Sequence, residues 1–101
     1  MFRRRRFDEL IDMQLRMFET DHADRLAALR ETLEAYRGAD RDEAEERYGD
    51  YADQLDWAAD ELAEIRDVYA ATMEPDLVDQ YEREFARAVR RAYPAVADVL
   101  S

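Results

Sequence analysis

The chain contains no cysteine, no lysine and no asparagine, and its 101 residues include only two glycines and two prolines. The absence of cysteine excludes disulfide bonds, zinc–thiolate sites and thiol catalysis. Glycine and proline mark turns and the ends of helices. Their scarcity therefore predicts few secondary-structure elements, each of them long.

Long apolar stretches are missing as well. No run approaches the roughly 18 apolar residues of a membrane-spanning helix, so no such helix is expected. The basic start is not typical of a secretory signal, because Asp8, Glu9 and Asp12 follow where the apolar region of a signal would lie. The expected location is the cytoplasm.

The chain is instead rich in charge. It carries 26 acidic residues against 15 arginines, a net charge of −11, which repels nucleic acid from most of its surface. Its common residues include alanine, leucine, arginine and glutamate, which are strong helix formers. The 11% of aromatic residues is too much for a disordered acidic tail. The composition therefore predicts a single all-α domain over residues 1–101.

Two long helices are predicted from the spacing of apolar residues. In the first, apolar or semi-apolar side chains recur every three or four residues from Ile11 to Tyr36. In the second, the average step is about 3.5 residues, which is the period of a coiled-coil seam. We expect the first helix over about 4–37 and the second over about 41–72.

The link between these two helices is short. Gly38 supplies a stop for the first helix, and Asp40 with Glu43 forms a capping box for the second. So short a link makes the helices antiparallel. The expected product is a coiled-coil-like hairpin about 45 Å long, because each helix of roughly 30 residues rises about 1.5 Å per residue.

A shorter third helix is predicted over about 75–93. Pro75 suits the first turn of a helix, and Pro94 ends it. Since this helix covers only about half of the hairpin, we expect it to pack at the open end as part of a three-helix bundle. A second apolar stripe at that end supports this arrangement, with Leu10, Met13 and Met17 on the first helix and Trp57 and Val68 on the second.

The opposite end of the hairpin, residues 26–52, is predicted to be a bare projection of two helices. It holds more apolar surface than two helices can hide. We therefore expect self-association there, most simply a dimer with a four-helix tip, or binding of another helical protein. The candidate interface residues are Leu26, Leu29, Leu33, Tyr36, Tyr48 and Tyr51.

Glu19 and His22 form the pattern most typical of a metal site. A Glu-x-x-His on a helix places a carboxylate and an imidazole on adjacent turns, and ferritin-like di-iron bundles use this motif twice. A dimer of so small a chain would be needed to complete the site. The alternative is a half-buried structural His22, since the motif arises by chance in so acidic a sequence. That alternative, with no cofactor, is favoured by the facing seam of the second helix, which carries no carboxylate.

Nucleophilic catalysis has few candidate residues. Ser101 is the only serine and occupies the last position, and Thr20, Thr32 and Thr72 have no base arranged around them. No glycine-rich phosphate loop is present. We therefore expect that the protein is not an enzyme.

A run of four arginines stands out in the otherwise acidic chain. It consists of Arg3, Arg4, Arg5 and Arg6. One interpretation is structural and places the run beside Asp67 and Glu74, at the C-terminal end of the second helix, where positive charge offsets the helix dipole. The others are docking on an acidic protein, on nucleic acid or on an anionic membrane. The acidic body argues against the last two.

Together these features favour a non-enzymatic, acidic helical protein that acts by self-association or by binding another protein. Two alternatives stay open at this point. One is a metal-binding carboxylate bundle assembled across a dimer. The other is an adaptor that docks an arginine-rich N-terminus on nucleic acid or on an anionic membrane.

Overall fold

The computed structural model describes residues 6–100, and within that range the chain forms five helices and no strand. The predicted all-α class is therefore confirmed. None of these helices is long and apolar enough to cross a membrane. The helices are α1 (Asp8–Asp21), α2 (Ala23–Arg37), α3 (Ala44–Ala70), α4 (Pro75–Ala92) and α5 (Pro94–Ala97).

The first predicted helix is in fact two helices. His22, with φ −122° and ψ 28°, ends α1 and precedes α2, so the prediction of one continuous helix over 4–37 was wrong. Aspartate, histidine and threonine are weaker helix formers than leucine or alanine, and Thr20 and Asp21 precede the break. The break is also accompanied by tertiary packing, because the His22 ring lies 5.4 Å from that of Phe18 and 5.3 Å from that of Trp57.

The remaining helices begin close to the predicted positions. Asp40 lies in front of α3, and its Oδ1 accepts the backbone N–H groups of Asp42 and Glu43, both at 3.1 Å. These bonds form one turn ahead of the helix, so α3 begins three residues later than expected. α4 begins at Pro75, and Pro94 follows its end and opens the single turn of α5.

α2 and α3 run antiparallel along each other. Near the end of α2, the Tyr36 ring lies 5.3 Å from that of Tyr48. Near its start, the Arg25 guanidinium lies 4.5 Å from the centre of the Trp57 ring. α1 packs most extensively on α4, which also contacts α3, and α5 contacts both α3 and α4. The C-terminal helices therefore connect α1 to α3.

The core lies where α1, α3 and α4 meet. Phe18 is buried there, and its ring contacts those of Trp57 and Tyr93 at centroid distances of 6.1 and 5.9 Å. A fully buried Leu, Val or Phe side chain contributes about 1.5–3 kcal/mol to folding. The other buried apolar residues are Ile11, Leu15, Leu26, Ala58, Ala59, Leu62, Tyr81, Phe85, Ala88, Val89 and Val96.

The far part of the α2–α3 pair has no comparable core. Between residues 27 and 57, all of which are described, no side chain is buried. The molecule is accordingly elongated, with extents of 51 × 31 × 22 Å and a radius of gyration of 15.8 Å, whereas a compact chain of this length has about 13 Å. We call residues 30–54 the tip and the rest of the described chain the body, because Leu29, Leu55 and Trp57 still pack against the core.

Candidate functional site

An open groove of about 310 Å³ lies between α1 and α3. Each helix lines it with one face, because the lining residues follow the helical spacing i, i+3, i+4, i+7 on both sides. On α1 these are residues 14, 17, 18 and 21, and on α3 they are residues 61, 64, 65 and 68. His22 and Tyr69 complete the lining.

The floor of the α1/α3 groove is apolar and partly open to solvent. Phe18 and Ile65 belong to the core or pack on it. Met17 and Val68 stand at the two sides and are 53% and 58% exposed. Met13, one turn before Met17 on α1, is also exposed. A large apolar side chain left this open on both sides of a groove marks a surface that another molecule can cover.

This exposure corrects the expected role of the second apolar stripe. The sequence suggested that Met13, Met17 and Val68 pack beneath the third helix. The structure instead buries a different face of α1 against α4, and Gln14 of that face forms hydrogen bonds of 2.9 and 3.1 Å with the Tyr81 hydroxyl. Met13, Met17 and Val68 are therefore surface residues, whereas Leu10 and Trp57 of the same stripe pack against the core as expected.

The rim of the groove is acidic. Asp21, Glu61 and Glu64 line it, and no arginine is among the ten lining residues. Glu61 Oε2 lies 3.6 Å from His22 Nε2, and both side chains are about one-third exposed. Three carboxylates beside an apolar floor favour a ligand that carries both positive charge and apolar surface.

Glu19 and His22 do not face a common site. The His22 ring turns towards Glu61 on α3. Glu19 instead interacts with the hydroxyl of Tyr93: burial, and then the charge and hydrogen bonding of the Glu19 carboxylate, raise the pKa of Tyr93 to about 12. Among residues 6–100, no three His, Asp or Glu side chains are grouped so that they could hold a metal ion.

The six residues predicted for a self-association interface fall into two sets. Leu26 is 5% exposed and belongs to the core, while Leu29 and Leu33 are half-buried. At the tip, Tyr36 packs edge-on against Tyr48 and stacks on Tyr51 at 6.5 Å. Tyr48 is 52% exposed. Three tyrosine rings thus cover part of one another and leave an aromatic surface outside.

The arginine run lies largely outside the described residues. Arg3, Arg4 and Arg5 are not described, and Arg6 is exposed in a turn before α1. The chain enters α1 against α4, because the Phe7 ring packs edge-on against Tyr81 at 5.5 Å. The Phe7 N–H also donates to Glu84 Oε1 at 3.1 Å.

Sequence reasoning missed Glu61, Glu64 and Ile65 as members of a site. Their spacing, with Val68, places them on one face of α3, and this face mixes two acidic with two apolar positions. A helix face that mixes acidic and apolar residues in this way was the sequence signal that could have indicated a binding surface. Which face of α1 lies opposite it depends on the bend at His22, and the apolar pattern did not predict that bend.

No family model, curated protein or solved structure matches this chain.

Proposed function

We propose that this chain is a non-enzymatic, acidic helical protein that acts by binding other protein chains, and that the α1/α3 groove is its main binding surface. The observation that carries the proposal is the exposure of Met17 and Val68 on opposite sides of an apolar floor, in a groove that three carboxylates also line. Exposed apolar patches rimmed by polar residues mark protein interaction sites on soluble proteins.

The chemistry of the groove suits a polypeptide. Methionine has an unbranched, polarizable side chain that adapts to the shape of a partner. The groove is open and runs between two helices, a surface on which an extended or helical segment can lie. Its acidic rim selects partners with arginine or lysine and disfavours acidic ones.

Several features support a role without catalysis. His22 and Glu61 lie 3.6 Å apart, but the ten groove residues include no serine or threonine that such a pair could activate as a nucleophile. The acidic residues of the rim serve equally well as the charged border of an interface.

We also infer that α1, α3 and α4 form a three-helix bundle at the open end of the α2–α3 hairpin, as the contacts of α4 with both partners suggest. This bundle supports the groove, because α1 and α3 form its two walls. The tip is a second surface for self-association, favoured by the exposure of Tyr48 and Tyr36. A dimer through the tip would join two hairpins end to end.

The test of the groove is Val68→Glu, which places a fourth negative charge on its edge. We expect the mass measured by light scattering at micromolar concentration to fall, because the groove no longer contributes to association. Val99→Glu is the matched control, since Val99 is also exposed but does not line the groove. An unchanged mass with Val68→Glu, or an equal change with both variants, would contradict the proposal.

The tip is tested separately with Tyr48→Ala. If the tip forms the dimer, this variant dissociates it and Val68→Glu does not. If the wild-type chain is monomeric at all accessible concentrations, self-association through either surface is excluded. Circular dichroism confirms that each variant keeps its helix content.

A further inference from the structure

The charge of the α1/α3 groove is not balanced within the groove. Asp21, Glu61 and Glu64 face the opening, and among its lining residues only His22 could carry positive charge. Each carboxylate that loses water on binding needs a cationic partner. The occupant must therefore combine several positive charges with at least one apolar side chain for the floor.

The chain itself contains one segment with this chemistry. Residues 2–6, which we call the N-terminal arm, join the aromatic side chain of Phe2 to four consecutive arginines. No other run in the sequence has more than two adjacent basic residues. Arginine is well suited to such a rim, because its planar guanidinium can bind a carboxylate through two parallel hydrogen bonds.

We propose that the N-terminal arm of one chain binds in the α1/α3 groove of a second copy. This inference rests on the proposed function and names the partner for the same groove. Phe2 covers the floor between Met17 and Val68, and the arginines pair with Asp21, Glu61 and Glu64. When each chain gives its arm to the other, the same two surfaces are used twice and the dimer closes with two-fold symmetry.

A second copy fits this role better than the arm of the same chain. The described chain enters α1 at Phe7, whose N–H is held by Glu84 of α4. Asp21 lies 14 residues further along α1, about 21 Å at about 1.5 Å per residue. Five extended residues span at most about 17 Å. Folded back along α1, the arm of the same chain brings only its first arginines near Asp21 and leaves the others beside the first turns of α1, whereas the arm of a partner can approach from the open side.

The pairing predicts a dimer that weakens as salt is added. The carboxylates of the rim are partly exposed, and ions screen exposed charges over about 8 Å at physiological ionic strength and about 3 Å at 1 M. Attraction between the arm and the rim raises the rate of association most. A purely apolar interface would not weaken in this way.

The absence of cysteine from the chain allows a direct test by disulfide trapping. We would mix full-length Phe2→Cys with full-length Val68→Cys carrying a tag of different mass, oxidise them at low salt, and count mixed dimers. Val68→Cys should give several-fold more mixed dimer than the control Val99→Cys, and 1 M salt should reduce that excess. Equal yields from both positions would overturn the proposal. The proposal would also be overturned if a chain carrying both Phe2→Cys and Val68→Cys formed only an intramolecular disulfide.

A charge exchange tests the same contact at equilibrium. In one variant the four arginines of the arm become glutamate, and in the other Glu61→Arg and Glu64→Arg reverse the rim. We expect each variant alone to lose dimer in sedimentation velocity by at least tenfold in affinity. Mixing the two should restore a heterodimer, because the reversed arm then meets the reversed rim.

The two levels of the proposal can fail separately. If the rim variant loses the dimer and the arm variant does not, the groove binds another part of the chain, and only the arm is wrong. If neither variant affects association, the groove is not the interface, and both proposals fail. If each variant alone dissociates but the mixture does not recover, direct pairing of arm and rim is refuted.

Discussion

The two halves of α3 have the same kind of sequence but very different burial. In the C-terminal half, Ala58, Ala59 and Leu62 are buried, with Ala58 and Leu62 fully so. In the N-terminal half, no residue from 44 to 57 is buried, although Tyr51 and Leu55 lie on the same seam. The difference lies in which helices cover α3. α4 packs on its C-terminal half, whereas α2 and part of α5 pack near its N-terminal half.

This comparison shows that a pair of helices does not make a core in this chain. Two helices can cover one narrow stripe of each other, and the sides of each seam stay in contact with water. In the body, a strongly amphipathic α4 buries Tyr81, Phe85 and Val89 and closes the third side. Stability should therefore come mostly from the body, and the tip should contribute little beyond its helices.

The largest expected effect is the loss of a buried ring from the body. Phe85 is fully buried, so Phe85→Ala leaves a cavity and should cost about 3–5 kcal/mol of unfolding free energy. Leu33→Ala in the tip should cost about 1 kcal/mol, because Leu33 is only half-buried and the site remains open to water. Urea titration followed by circular dichroism measures both.

The contrast between these two variants is more informative than either value. A small domain has about 5–15 kcal/mol of total stability, so Phe85→Ala can approach global unfolding. Equal losses from both variants would show that the tip carries a core of its own, and the division between body and tip would then be wrong.

The next effect concerns the buried polar contact of the body. Tyr81→Phe removes the hydroxyl that bonds Gln14, whose side chain is buried. An unpaired buried amide costs about 1–3 kcal/mol. Adding Gln14→Leu removes the unpaired group, so the double variant should be more stable than Tyr81→Phe alone. If the loss of unfolding free energy in the double variant equals the sum of the losses in the two single variants, Tyr81 and Gln14 are not coupled. The hydrogen bond then does not explain the effect.

A smaller effect, of opposite sign, is expected in the tip. Gly49 lies inside α3, and a Cβ added there would meet no atom within 4 Å. Gly49→Ala should therefore stabilise the chain by about 0.5–1 kcal/mol through helix propensity alone, which raises the melting temperature by several degrees. Gly38→Ala is the control, because Gly38 lies beyond the end of α2 and an added Cβ would contact the Glu34 carbonyl oxygen at 3.5 Å. If Gly38→Ala stabilises the chain equally, helix propensity is not the cause.

Much of this fold could be predicted from local sequence signals. The all-α class follows from composition, and the ends of α4 follow from Pro75 and Pro94. The Asp40 side chain caps the turn before α3 because an aspartate there has N–H groups within reach. These features depend on residues close to one another in the sequence.

The bend at His22 and the α1/α3 groove could not be predicted in the same way. The apolar spacing continues across His22 with no glycine or proline to mark a break. The bend involves contacts with Trp57 and Glu61, which are more than thirty residues away in the sequence. The carboxylates of the groove are spaced in the sequence like those of any other solvated helix face.

The last expected effect concerns Tyr93, which joins α4 to α5, and it changes stability only at alkaline pH. Its pKa is raised to about 12 from the ordinary value of 10, first by burial and then by the nearby Glu19 carboxylate. The folded state therefore favours the protonated phenol. The contribution of the Tyr93 phenol to stability is fully present below about pH 10 and is lost as the pH rises through about 12.

Urea midpoints between pH 9 and about 12 should fall more steeply for the wild type than for Tyr93→Phe, which has no phenol to ionise at this position. Glu19→Gln should make this loss smaller and complete it at lower pH, since removing the negative charge that opposes ionisation lowers the pKa of Tyr93 in the folded state. Parallel curves for the wild type and Tyr93→Phe would show that Tyr93 ionises as easily in the folded chain as in the unfolded one.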